Sequence, residues 1–119
     1  MKHLPVALLG GIVYFIGEEG VLYSLREGKR VLECDELARP VAICAGVGGC
    51  GNYRIFIADA EDRGLKVFDP LNRRLDLLAT LPETPLGISK EECRLVVAVE
   101  GGIVEFDLKS LKIVGSFAL

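Results

Sequence analysis

Three segments of this chain repeat one pattern: Leu4-Pro5-Val6-Ala7-Leu8, Arg39-Pro40-Val41-Ala42-Ile43 and Thr84-Pro85-Leu86-Gly87-Ile88. Each leads into an apolar run, a short acidic or glycine-bearing loop, and a second apolar run. The second runs also match, as Gly20-Val21-Leu22-Tyr23-Ser24-Leu25, Gly64-Leu65-Lys66-Val67-Phe68-Asp69 and Gly102-Ile103-Val104-Glu105-Phe106-Asp107. The prolines are spaced by 35 and 45 residues and the glycines by 44 and 38. A unit of this length cannot bury its apolar face alone, so it must stack on its neighbours. The apolar runs are short, rich in β-branched residues and bounded by Gly, Pro, Asn and Asp, and none keeps helical spacing.

A period near forty, filled with short strands, is the signature of a β-propeller blade. The expected fold is all-β: one domain of three four-stranded antiparallel blades, at about 4–37, 38–81 and 82–119, forming half of a six-bladed β-propeller. The predicted strands are Val6–Leu9, Ile12–Ile16, Val21–Leu25 and Arg30–Cys34 in the first blade. Those of the second are Val41–Ala45, Arg54–Asp59, Leu65–Asp69 and Leu75–Leu81. Those of the third are Leu86–Ser89, Arg94–Val99, Ile103–Asp107 and Ile113–Phe117. Pro70 stops a strand because it has no N–H for the ladder. Phe56, Phe68, Val97 and Phe106 are expected in the core. Ala7, Ala42 and Gly87 are small at matched positions, as expected where inner strands crowd an axis.

The stretch Ile55-Phe56-Ile57-Ala58-Asp59, followed by Gly64-Leu65-Lys66-Val67-Phe68-Asp69, Leu78-Ala79-Thr80-Leu81 and Pro85-Leu86-Gly87-Ile88, resembles the YVTN and NHL families of propeller repeats. The second blade carries the resemblance well, the third fairly and the first weakly. Ser24-Leu25-Arg26 replaces the strand-ending aspartate in the first. The resemblance implies a platform for protein, peptide, RNA or sugar binding, and catalysis in only some members.

The chain has 119 residues, half of them hydrophobic, and a formal net charge of −3. So much apolar surface on a small domain calls for burial against a further surface. The mild acidity argues against nucleic acid as a partner. The apolar stretch after Met1-Lys2-His3 lacks a cleavage pattern, is broken at Gly10-Gly11 and repeats at Pro40 and Pro85, so it reads as strands. It is too short to span a membrane, and a cytoplasmic location is expected. The four cysteines have no C-x-x-C spacing, and His3 is the only histidine, so zinc is not expected. Cys34 and Cys44 read as buried thiols. Cys50 and Cys93 occupy the same loop in successive blades and are a possible disulfide, unusual in cytosol outside hyperthermophiles.

Gly46-Val47-Gly48-Gly49-Cys50-Gly51 matches a dinucleotide fingerprint but is followed by a strand, Asn52–Ile57, so it lacks the helix that would hold phosphate. No Ser/His/Asp or Cys/His set is available, so no catalytic residue and no cofactor is expected. Glu18, Glu19, Asp59, Glu61, Asp62 and Glu100 fall in the loops joining second to third strands. Asp35, Glu36 and Glu83 fall in the loops leading into the blades, which open on the same side in a propeller. The opposite loops carry Lys29, Arg30, Arg73, Arg74, Lys90, Arg94, Lys109 and Lys112. An acidic mouth focuses its field on a cationic peptide, a polyamine or a divalent ion. The expected function is a non-enzymatic binding or scaffold module, a homodimer of three blades per chain that takes a basic peptide or protein. The alternatives are a six-bladed, metal-dependent lactonase-like hydrolase, or one component of a hetero-complex that completes the propeller.

Overall fold

The computed structural model describes residues 4–119, all-β with no helix among them. Twelve strands form three four-stranded antiparallel sheets, each from four strands consecutive in the chain. The first sheet holds β1 (Val6–Leu9), β2 (Ile12–Ile16), β3 (Leu22–Arg26) and β4 (Lys29–Cys34). The second holds β5 (Pro40–Gly46), β6 (Arg54–Asp59), β7 (Gly64–Asp69) and β8 (Arg74–Thr80). The third holds β9 (Pro85–Glu91), β10 (Arg94–Val99), β11 (Gly102–Asp107) and β12 (Lys112–Ala118). The sheets stand side by side, with β5 against both β1 and β9, so the first strand of each lines the inside of an arc. The arrangement is part of a β-propeller, measuring 42 × 32 × 21 Å.

Two apolar seams hold the arc together. Leu9, Tyr14, Ile16 and Leu22 of the first sheet meet Ile43, Ile55, Ile57 and Phe68 of the second. Phe56 and Leu65, from the opposite face of that second sheet, meet Leu95, Val97, Val104 and Phe106 of the third. The middle sheet is therefore covered on both faces. Its β6 reads as an unbroken apolar run, Ile55-Phe56-Ile57-Ala58, because alternate side chains enter opposite seams. Each side chain buried in this way contributes roughly 1.5–3 kcal/mol. Phe56, Phe68, Val97 and Phe106 all lie in the core.

Turn chemistry accounts for the repeat's other marks. Asp69 Oδ1 accepts from the amides of Leu71 (3.0 Å) and Asn72 (3.4 Å), and Asn72 Nδ2 donates to Asp69 Oδ2 at 2.8 Å. Asp107 caps the equivalent turn through the amides of Lys109 and Ser110. These caps keep both aspartates below the usual carboxylate range, through the side chain of Asn72 for Asp69 and that of Ser110 for Asp107. The first sheet needs no such cap. Its β3–β4 hairpin turns on Glu27 and Gly28 alone, both with positive φ, the geometry of a tight two-residue turn. Pro40 and Pro85 open β5 and β9 next to register shifts in the ladder, where a missing N–H is tolerated.

Gly87 lies on the uncovered face of the third sheet. A Cβ on Gly87 would meet only Ala98 Cβ, at 3.8 Å. Within a single chain nothing else approaches that position, because that face of the third sheet is open. His3, the sole histidine, lies outside the described residues.

Candidate functional site

The loops after β2, β6 and β10 lie at one end of the arc and interlock with the segments that lead into the next sheet. Asp59 ends β6 and accepts from the amides of Ala38 (2.8 Å) and Arg39 (2.6 Å), which approach from the first crossover. Lys66 Nζ donates to Asp59 Oδ2 at 2.8 Å and to Asp62 Oδ2 at 2.7 Å. In the second crossover, Arg63 Nη1 donates to Pro82 O (3.2 Å) and the Glu83 carboxylate lies over Gly101.

The sequence grouped six carboxylates here, and the structure divides them. Glu18, Glu61 and Glu100 stand exposed on three successive loops. Glu19 is exposed too, but it accepts from the Tyr23 hydroxyl and faces Arg30 Nη1 at 4.0 Å. The Tyr23 hydrogen bond holds its pKa below the usual carboxylate range. Asp62 is half-exposed and shares Lys66. Asp59 is wholly buried, and backbone amides and an ammonium occupy both its oxygens. Burial raises its pKa, but Lys66 and the Arg39 and Ala38 amides more than offset that, leaving it lowered. Asp59 is thus a latch between sheets, not part of an open mouth. Alternation along β6 points it inward, a consequence that loop composition does not reveal. Among the described residues no three His, Cys, Asp or Glu side chains converge as metal ligands.

Two polar structures were not foreseen. Glu33 is buried in the seam between the first and second sheets. It accepts from Ser24 Oγ (2.7 Å), Arg26 Nη2 (3.4 Å) and Arg73 Nη1 (3.2 Å). Arg73 also donates to Leu32 O at 2.6 Å, so a turn of the second sheet grips the outer strand of the first. Tyr14 Oη is buried in the same seam without a hydrogen-bond partner. Burial first, then the charge of Glu33, raises its pKa. The sequence signal was a lone glutamate in a strand otherwise apolar at its end, Val31-Leu32-Glu33-Cys34.

A disulfide joins Cys50 and Cys93 across the second seam, with Cα atoms 4.7 Å apart. The glycine-rich loop between β5 and β6 lies flat on the β9–β10 turn. Gly49 has positive φ, and a Cβ there would come within 2.7 Å of the Glu92 backbone, so only glycine fits. Lys90 Nζ donates to Gly48 O at 2.9 Å. The loop runs into β6 and not into a helix, as its sequence implied. Cys34 and Cys44 are unpaired, and burial pushes the Cys44 thiol up to about 11, so it is a poor nucleophile.

Two shallow hollows lie at the end opposite the acidic loops. One, of about 380 Å³, is lined by Arg54, Asp69, Arg74 and Asp76, whose charges pair with one another. The other, of about 430 Å³, is lined by Glu91, Arg94, Asp107 and Lys109.

No family model and no curated protein matches the chain. Among solved structures it is similar to a chain in the crystal structure of a nidogen/laminin complex, with a TM-score of 0.75 and 16% identity over 92% of this chain. The match spans 43% of that chain, less than half its length, and shows the fold: part of a β-propeller.

Proposed function

We propose that this chain is a non-enzymatic binding or scaffold module that pairs with a second copy as a six-bladed propeller and receives a cationic peptide or protein at its acidic end. The carrying observation is the contrast between the sheets. The middle sheet is covered on both faces, whereas the first leaves an apolar face in water and the third a mixed face that includes Phe117. Val6 is 58% exposed and Leu8 64% on the first sheet, and Phe117 is 52% exposed on the third. Contiguous apolar faces of this kind mark interaction sites. A two-fold partner is the commonest solution, and six blades fall within the usual four to eight.

Glu18, Glu61, Asp62 and Glu100, with Asp35, Glu36 and Glu83 of the crossovers, surround the same end against Arg39 and Arg63. Like charges gathered at one rim attract cations over about 8–10 Å at moderate salt. The structural neighbour belongs to a protein–protein complex, which fits a role in binding protein. Titration with a fluorescent oligoarginine peptide tests the reading. Binding that weakens with salt and is lost in Glu18→Gln/Glu61→Gln/Glu100→Gln supports it. Equal binding by that variant, with unchanged stability, refutes the acidic end as the site.

A further inference from the structure

Resting on the homodimer proposed above, we infer that the ring closes head to tail: the open face of the first sheet seats on the open face of the third sheet of a second copy. Both internal seams join two kinds of face. The face a sheet turns to its successor carries Tyr14 and Ile16 in the first sheet and Phe56 and Leu65 in the second. The face a sheet turns to its predecessor carries Ile55 and Ile57 in the second and Leu95 and Val97 in the third. By alternation along β2, the open face of the first sheet, with Val13 and Phe15, is of the second kind. By alternation along β10, the open face of the third sheet, with Val96 and Ala98, is of the first kind. Joining these two continues the arc in the same sense as both seams. Joining two copies of one face reverses it.

Side-chain size at two positions agrees with this assignment. The first sheet's open face is bulky: Val6 pairs with Phe15, Leu8 with Val13, and Phe15 stacks on Tyr23 with centroids 5.5 Å apart. The third sheet's open face is recessed at Gly87 and Ala98, while Phe117 stands out at the far end of the same row, its ring over Gly115. Bulky side chains seated over Gly87 and Ala98 fill that recess toward interior density. The bulky face carries Arg30, held 4.5 Å above the Tyr23 ring with its side chain 60% exposed. On the third sheet's open face Arg94 already pairs with Glu105, and Lys112 lies opposite Asp107, so its carboxylates are matched within the chain.

The test is sedimentation equilibrium on Val13→Glu and Ala98→Glu, each alone and then mixed in equal amounts. Val13→Glu spoils one face and Ala98→Glu the other, so each variant alone is expected at the 12.9 kDa chain mass. The mixture retains one intact contact per ring and is expected to regain mass toward the dimer. Leu8→Lys repeats the test should Val13→Glu fail to fold, since Leu8 is largely exposed. If Ala98→Glu alone stays dimeric while Val13→Glu is monomeric, the copies meet first sheet to first sheet and head-to-tail closure is wrong. A mixture that stays monomeric also overturns it. A monomeric wild-type chain overturns the homodimer itself, which is a separate result.

Discussion

Asp59→Ala is the sharpest perturbation available, because one side chain fastens three partners. In its absence the amides of Ala38 and Arg39 lose their acceptor, and Lys66, only 8% exposed, loses its buried counter-ion. Asp62 is half in water and compensates only in part. Removing one member of a buried ion pair costs about 3–5 kcal/mol. Unfolding entropies near 2 cal/mol/K per residue give about 4 °C per kcal/mol for a chain of this length, so Tm is expected to fall by about 12–20 °C. Urea and thermal melts at fixed protein concentration measure the loss. Amide exchange at Ala38 and Arg39 reports whether the crossover is released first. The pH dependence has a definite sign. The folded pKa of Asp59 lies below its ordinary 3.8, so its contribution is fully present above that value and is lost as pH falls through the lower folded value. Lys66 has a raised pKa, so its contribution is present below 10.5 and is lost as pH rises through the folded value. A cost below about 1 kcal/mol for Asp59→Ala, with exchange at Ala38 unchanged, would refute the latch.

Other perturbations probe the seams. Tyr14→Phe removes a buried hydroxyl that has no partner, so urea melts are expected to show stability unchanged or raised by up to about 1–3 kcal/mol; a clear loss would mean that the hydroxyl is hydrogen-bonded. Phe68→Ala is expected to cost about 3–5 kcal/mol in the same assay, and a loss under about 1 kcal/mol would contradict its burial. Reduction with a dithiol opens the link between Cys50 and Cys93, 43 residues apart, and is expected to remove about 4 kcal/mol on the chain-entropy account, read as a Tm drop absent from Cys50→Ser/Cys93→Ser.

The strands were legible because their period is local. Alternation, β-branched runs and turn residues sit within a few positions of each other, and each predicted strand lies within a residue or two of the one observed, as with β2 and β6. The strand-ending Asp69 and Asp107 were legible as a motif, and their work as turn caps follows once the turns are built. What stayed hidden depends on which way a strand-end side chain points. Asp59 and Glu100 look alike in a list of acidic loop residues. Asp59 is turned into the seam at the end of β6, where the crossover's amides reach it, whereas Glu100 lies one residue past the strand, in water. Glu33 was missed for the same reason, since its partner Arg73 is forty residues away on the next sheet.

In the proposed assembly a second copy covers the open faces of the first and third sheets. Sedimentation equilibrium of the wild-type chain across micromolar concentrations tests it most directly. About twice the 12.9 kDa chain mass is expected, with dissociation only on dilution. A mass of 12.9 kDa that does not change with concentration would contradict it.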